Sequence, residues 1–191
     1  MKEIRVSNLQ TETRNTEDNA EEQLILVGYP IVFDQATEIK TANSSFKEII
    51  KRGALDGVDL NDTRLLYNHD NNKIPLSRSG KTMTLTVDEV GLHMRAVLPN
   101  TEEGRSVYTA VERGDLDKMS FAFTVMEDGQ DYNAETNTRV IRKINKLYEV
   151  SIVPFPAYEG TVVSVEARNQ MREQQETFSK RKKLEMKLKL I

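Results

Sequence analysis

Lys118-Met119-Ser120-Phe121-Ala122-Phe123-Thr124-Val125 alternates with the two-residue period of a β-strand. Met119, Phe121, Phe123 and Val125 fall on one face, bulky and apolar, suited to a core. Ser120, Ala122 and Thr124 fall on the other, where every side chain is small. A hydroxyl on that face is expected to have open space above it, which a serine nucleophile needs. The pattern by itself equally describes a serine on an ordinary half-buried strand.

Around this strand, 191 residues fit one domain with tails. With 38% hydrophobic and 30% charged residues, a compact core is affordable, but not for every segment. The absence of cysteine excludes disulfides, thiolate metal sites and a cysteine nucleophile. Any imidazole chemistry must use His69 or His93, the only two histidines. A net charge of −3 gives no general attraction to nucleic acid or membrane. No apolar run approaches the roughly 18 residues of a membrane span, and the N-terminus is too polar for a signal peptide. A soluble protein that stays where it is made is expected. There is no glycine-rich phosphate loop and no metal-ligand spacing, so no cofactor is expected.

Residues 1–23 read as a loose polar arm. Leu24 to Phe33 reads as a strand bent at Gly28 and Pro30. Phe46 to Leu55, with Phe46, Ile49 and Ile50 at helical spacing, reads as a short helix. Arg64 to Tyr67 reads as a strand running into the polar turn Asn68-His69-Asp70-Asn71-Asn72. Thr82–Val87 and Leu92–Leu98 flank Asp88-Glu89-Val90-Gly91 as a hairpin, with His93 beside Arg95 on the face away from Leu92 and Met94. Asn100-Thr101-Glu102-Glu103 resembles a capping box and opens a helix to about Asp115. Asp128 to Thr138 reads as a polar turn region. Arg139 to Val153 reads as one long strand with Glu149 opposite its apolar face, ended by Pro154-Phe155-Pro156. The folded unit is expected over 24–166. Residues 167–191 read as a basic helical tail, the last 26 residues holding eight Lys or Arg against four Glu.

Ser120, His69 and Glu149 are candidates for acting together. Nucleophilic catalysis needs an imidazole to take the hydroxyl proton and a third group to hold the ring in the right tautomer. His69, in a polar turn after a strand, is a better base than His93, whose neighbour Arg95 would depress its basicity. Asp70 and Asp117 rival Glu149 as the third group, and spacing does not choose among them. The residues alone reach a β-rich α+β domain with a Ser/His pair.

Five segments in order add to this: Phe46-Lys47-Glu48 with Gly53-Ala54-Leu55; Leu66-Tyr67-Asn68-His69-Asp70; Gly91-Leu92; Lys118-Met119-Ser120-Phe121-Ala122-Phe123; and Leu147-Tyr148-Glu149-Val150-Ser151-Ile152-Val153-Pro154-Phe155-Pro156-Ala157-Tyr158. Together they resemble the prohead serine protease family of tailed bacteriophages over roughly residues 24–166. The resemblance implies a fold similar to herpesvirus assemblin, a small, mainly antiparallel β-barrel surrounded by a few helices. It implies an endopeptidase acting in the host cytoplasm, inside the assembling procapsid, on segments of the major capsid protein and scaffold, and on itself. It matches Ser120 to the nucleophile and His69 to the general base, with Glu149 at the third position, where assemblins use a second histidine. The arginine pair that assemblins place near the oxyanion site has no counterpart in Pro154–Gly160, so backbone N–H groups of that loop are expected as donors. Homodimerisation is expected by the same likeness, as is an extended substrate adding as a strand along an exposed edge beside Ser120. The alternative is a non-catalytic procapsid scaffold or assembly factor. An esterase-like hydrolase fits less well, because no Gly-x-Ser-x-Gly elbow surrounds Ser120.

Overall fold

The structure, a computed structural model, describes residues 3–11, 23–41, 44–154, 176–183 and 185–186. Along the chain run β1 (Glu3–Thr11), β2 (Ile25–Val32), β3 (Ala36–Thr41), β4 (Ser44–Ile50), β5 (Arg64–Tyr67), β6 (Ser77–Arg78), β7 (Met83–Val87) and β8 (Gly91–Val97). Helix α1 (Glu102–Glu112) follows, then β9 (Lys118–Val125), β10 (Gln130–Asn133), β11 (Thr138–Ile141) and β12 (Ile144–Val153). A second, largely exposed helical segment occupies residues 176–183. Residues 12–22, 42–43 and 155–175, and the rest of the basic tail apart from 185–186, lie outside the described residues.

Eight strands form one sheet in the order β6-β5-β12-β9-β1-β2-β8-β7, and four form a second in the order β10-β11-β4-β3. The apolar face of β9 (Met119, Phe121, Phe123) joins Val150 and Ile152 of β12, Leu92 and Met94 of β8, and Val107 and Val111 of α1 in one core. The molecule is therefore mostly β, in keeping with an α+β reading, but the sheets do not close into a barrel. The outer strands β6 and β7 are joined by a tight turn in which Gly80 N–H donates to Met83 O at 3.1 Å. Among the described residues a single bridge, Ser79–Met83, links the two ends of the sheet. With two residues, β6 is too short to form a closing ladder.

The bent strand, the hairpin and the helix follow their sequence signals. β2 loses register against β8 between Gly28 and Ile31. Gly91 opens β8 beneath that irregularity, where a Cβ would stand 1.9 Å from Ile31 O, so no other residue fits. Thr101 is the N-cap of α1, its hydroxyl accepting from Gly104 N–H at 3.2 Å. Glu103 does not complete a capping box; it pairs with Lys73 Nζ at 2.9 Å. Thr101→Ala should cost about 1 kcal/mol in urea unfolding, because one helix-end N–H loses its partner.

Four segments depart from expectation. Residues 3–11 are not a loose arm but an interior strand between β9 and β2. Residues 44–50 form a strand, not the start of a helix, with Phe46, Glu48 and Ile50 buried at period two. The polar stretch after Asp128 contains β10, which pairs with β11. The long strand from Arg139 is broken at Arg142-Lys143, whose N–H groups both donate to Gly129 O. There the chain leaves the four-stranded sheet for the eight-stranded one.

The first two departures share a cause. Glu3 and Arg5 take inward positions on β1, opposite Phe123 and Phe121, and are 2% and 5% exposed. Glu48 and Arg139 are register partners on β4 and β11 and are equally buried. Arg139 Nη2 reaches Glu3 Oε1 at 2.9 Å and Nη1 reaches Glu48 Oε2 at 2.8 Å. Arg5 Nη2 bonds Glu48 Oε2 at 2.5 Å and Glu3 Oε2 at 3.0 Å. Gln130 caps the group, accepting from Arg139 Nε at 2.7 Å. Burial pushes the Glu48 carboxyl up, but the Arg5 and Arg139 guanidiniums outweigh it and hold Glu48 below its ordinary value. Burial likewise lowers Arg139, and Glu3 and Glu48 reverse that to a net rise. Four mutually neutralising charges thus form a polar layer joining β1 to the second sheet.

Candidate active site

The candidate residues lie on three adjacent strands, β9, β12 and β5, and the turn that follows β5. Ser120 stands midway along β9, with Val6 of β1 and Ser151 of β12 as register partners on its two sides. Its side chain is fully buried, against the expectation of open space, because Ala122, Ser151 and Glu149 on and beside that face are buried too. The Ser120 hydroxyl has no hydrogen-bond partner among the described residues. β9 is paired on both sides from Lys118 to Phe123, so there is no free edge beside Ser120 for a substrate to join as a strand. That expectation is set aside.

His69 is placed by the end of β5. Asn68 N–H donates to Ile152 O at 2.9 Å, which extends the β5–β12 pairing by one residue, and Asp70 N–H donates back to Tyr67 O at 3.1 Å. Asn68 and His69 both lie in the left-handed region, with φ of 52° and 58°. Asn and His are among the residues that adopt this conformation most often, yet any non-glycine residue held there carries some strain, and such strain concentrates at functional sites. The result turns the imidazole back over β12.

There its Nδ1 lies 2.7 Å from Glu149 Oε1. Glu149 is nearly buried and His69 about a quarter exposed. The rival carboxylates are engaged elsewhere: Asp70 Oδ1 accepts from Asn72 N–H at 2.9 Å, and Asp117 pairs with Lys118 Nζ at 2.7 Å. His69 Nε2 is buried and, like Ser120 Oγ, has no partner among the described residues. The two atoms are therefore not bonded to each other. His93 lies on β8, three strands away from β9, and packs edge-on against Tyr29 with centroids 5.1 Å apart.

One residue of this cluster was missed on the sequence. Ser151 Oγ donates to Glu149 Oε2 at 2.5 Å. The signal was present in Glu149-Val150-Ser151, two polar side chains one strand period apart and so on one face. Residues 155–160 of the loop expected to supply oxyanion donors lie outside the described residues. Among the described residues no group of three or more His, Asp or Glu is placed to hold a metal ion, and no helix is long and apolar enough to cross a membrane.

A hydroxyl, an imidazole and a carboxylate on neighbouring strands are the kinds of group that nucleophilic catalysis uses. Residues 9–176 match the family described as caudovirus prohead serine protease. The chain is 32% identical over 154 residues to the prohead protease of Enterobacteria phage HK97, an alignment covering 78% of this chain and 62% of that protein. It thus spans less than two thirds of the length of that relative. No solved structure matches the chain. With most of its length matched, the chain belongs to the caudovirus prohead serine protease family.

Proposed function

We propose that the chain is a serine endopeptidase of procapsid maturation, with Ser120 as nucleophile, His69 as general base and acid, and Glu149 as the group that orients and charges the imidazole. The observation that carries the reading is the 2.7 Å contact of Glu149 with His69 Nδ1, which leaves Nε2 as the free nitrogen. A buried polar atom without a partner calls for an explanation, and here there are two such atoms, Nε2 and Ser120 Oγ, which the reaction would join. Catalytic hydrogen bonds are often open in free enzymes and close only around substrate.

In the proposed mechanism Ser120 Oγ attacks a peptide carbonyl while Nε2 takes its proton. The imidazolium is stabilised by the Glu149 carboxylate and then protonates the leaving amine. Water, activated by the same nitrogen, hydrolyses the acyl-enzyme and restores Ser120. Substrates are segments of the phage major capsid protein and scaffold, reached inside the assembling procapsid. The family membership and the name of the HK97 relative support this choice of substrates.

A fluorophosphonate probe tests the reading. Peptide mapping should find one phosphonyl group, on Ser120. Glu149→Gln should slow the labelling and lower kcat for peptide cleavage by about 10²–10⁴-fold, because the amide neither fixes the productive tautomer nor stabilises the imidazolium. Labelling at the wild-type rate in that variant would remove Glu149 from the mechanism. No labelling at all, with capsids that still require the chain, would favour an assembly factor.

A further inference from the structure

Ser151 is assigned no step in this mechanism, yet it sits at the centre of the cluster. It is fully buried. Its register partners are Ser120 on β9 and Leu66 on β5, the strand that delivers His69. Its hydroxyl occupies Oε2 of Glu149 while Oε1 meets the histidine, so the two contacts of that carboxylate are divided between Ser151 and His69. Among the described residues no charged side chain from the packed elements replaces either contact. Arg64, the register partner of Glu149 on β5, turns to Asp62 at 3.1 Å, and Asp70 is held by the Asn72 N–H.

We propose that Ser151 is a positioning residue, whose hydroxyl fixes the rotation of the Glu149 carboxylate so that Oε1 points at His69 Nδ1 and Nε2 is left free for the nucleophile. The last side-chain torsion of a glutamate is broad and roughly two-fold, so one contact does not set the plane of the carboxylate. A second, charge-assisted contact from a rigid neighbouring strand position does. The consequence for His69 is its tautomer. A neutral imidazole carries one proton, and a carboxylate held against Nδ1 keeps it there. The effect on turnover rests on the serine protease reading, whereas the effect on the ring does not.

The full-length chain allows a direct test, because only two imidazoles contribute nitrogen signals and His69→Gln assigns them. At a pH where the rings are neutral, ¹⁵N shifts of wild type should show the Nδ1–H tautomer of His69 in about tenfold excess or more. In Ser151→Ala the excess should fall to about threefold or less, and in Ser151→Thr, which keeps a hydroxyl, it should return. Peptide cleavage by Ser151→Ala should lose about 10–100-fold in kcat with KM within about twofold, the size expected for an outer group that orients a reacting one. A wild-type tautomer ratio in folded Ser151→Ala overturns the proposal, whatever the activity. If that variant does not fold, Ser151→Cys fills the same space with a far weaker donor, and a wild-type ratio there is equally fatal. If the ratio shifts as stated but the wild-type chain cleaves nothing, Ser151 positions the ring as proposed and the protease reading is what fails.

Discussion

Ser120→Ala should abolish cleavage while leaving the fold as stable as before. Without Oγ no acyl-enzyme forms, and losses on removing a serine nucleophile run to about 10³–10⁶-fold, or about 4–8 kcal/mol of transition-state stabilisation. The stability side follows from burial. The Ser120 hydroxyl is buried and makes no hydrogen bond among the described residues, so its removal forfeits none. A buried hydroxyl without a partner is itself unfavourable, and unfolding free energy should stay the same or rise by up to about 1 kcal/mol. Co-expression of wild type or Ser120→Ala with the phage capsid and scaffold proteins, read by intact mass, checks the first half; urea unfolding checks the second. Fragments that persist with Ser120→Ala would displace Ser120 as the nucleophile. A large loss of stability would mean that the hydroxyl has a structural partner after all. His69→Ala should be about as inactive as Ser120→Ala, and the double variant little worse, because groups that act as a unit do not contribute additively.

Arg139→Met should destabilise the fold strongly. Its guanidinium is shared between Glu3 and Glu48, both nearly inaccessible to water. Methionine fills much of the space and leaves two buried carboxylates facing one remaining cation, Arg5. Breaking a buried ion group in this way costs about 3–5 kcal/mol, a large share of the roughly 5–15 kcal/mol of an ordinary domain. The pH dependence has a defined sign. Glu48 is held below its ordinary value in the folded chain, so its contribution is present above the unfolded value near 4.3 and is lost as pH falls through the folded one. In Arg139→Met, Glu48 keeps its proton to higher pH, so the gap between variant and wild type should narrow on going from pH 7 to pH 4. Urea unfolding at both values measures this. A loss below about 1 kcal/mol at pH 7, or a gap that widens in acid, would show that the four charges are not coupled as described.

These charges also explain where the sequence was opaque. β9 was legible because Met119, Phe121 and Phe123 face inward while Ser120 and Ala122 take the other side. β1 has the same period, but its inward residues are Glu3, Arg5, Ser7 and Leu9, so a strand at the centre of the sheet reads as a polar arm. In β4, Glu48 interrupts the inward row of Phe46 and Ile50. What remains visible is the accidental helical spacing of Phe46, Ile49 and Ile50. Periodicity is read from hydropathy, and a charge neutralised by a partner 91 or 136 residues away along the chain carries no local sign of it. Around the site, the turn at Asn68–Asp70 and the strand bearing Glu149 were both legible. The choice of Glu149 over Asp70 and Asp117 was open on the residues alone, since it depends on the left-handed turn that swings His69 over β12. Barrel closure was not legible either, because it turns on the length of β6, a two-residue strand with no pattern to read.

The position of β1 has a consequence for the order in which the protein can be made. β1 is synthesised before its pairing partners on β9, which begin at Lys118, and before the cation that neutralises Glu3, residue 139. Until Arg139 has been made, Glu3 and Arg5 lack the full set of buried partners, and until β9 has been made β1 has a neighbour on one side only. Contacts of such long range are slow to form, so β1 is seated late although it is made before the strands that hold it. The strand that lies directly against Ser120 can then lock in place only after β9 and β11 have been made, so the surroundings of Ser120 are among the late-forming parts of the fold.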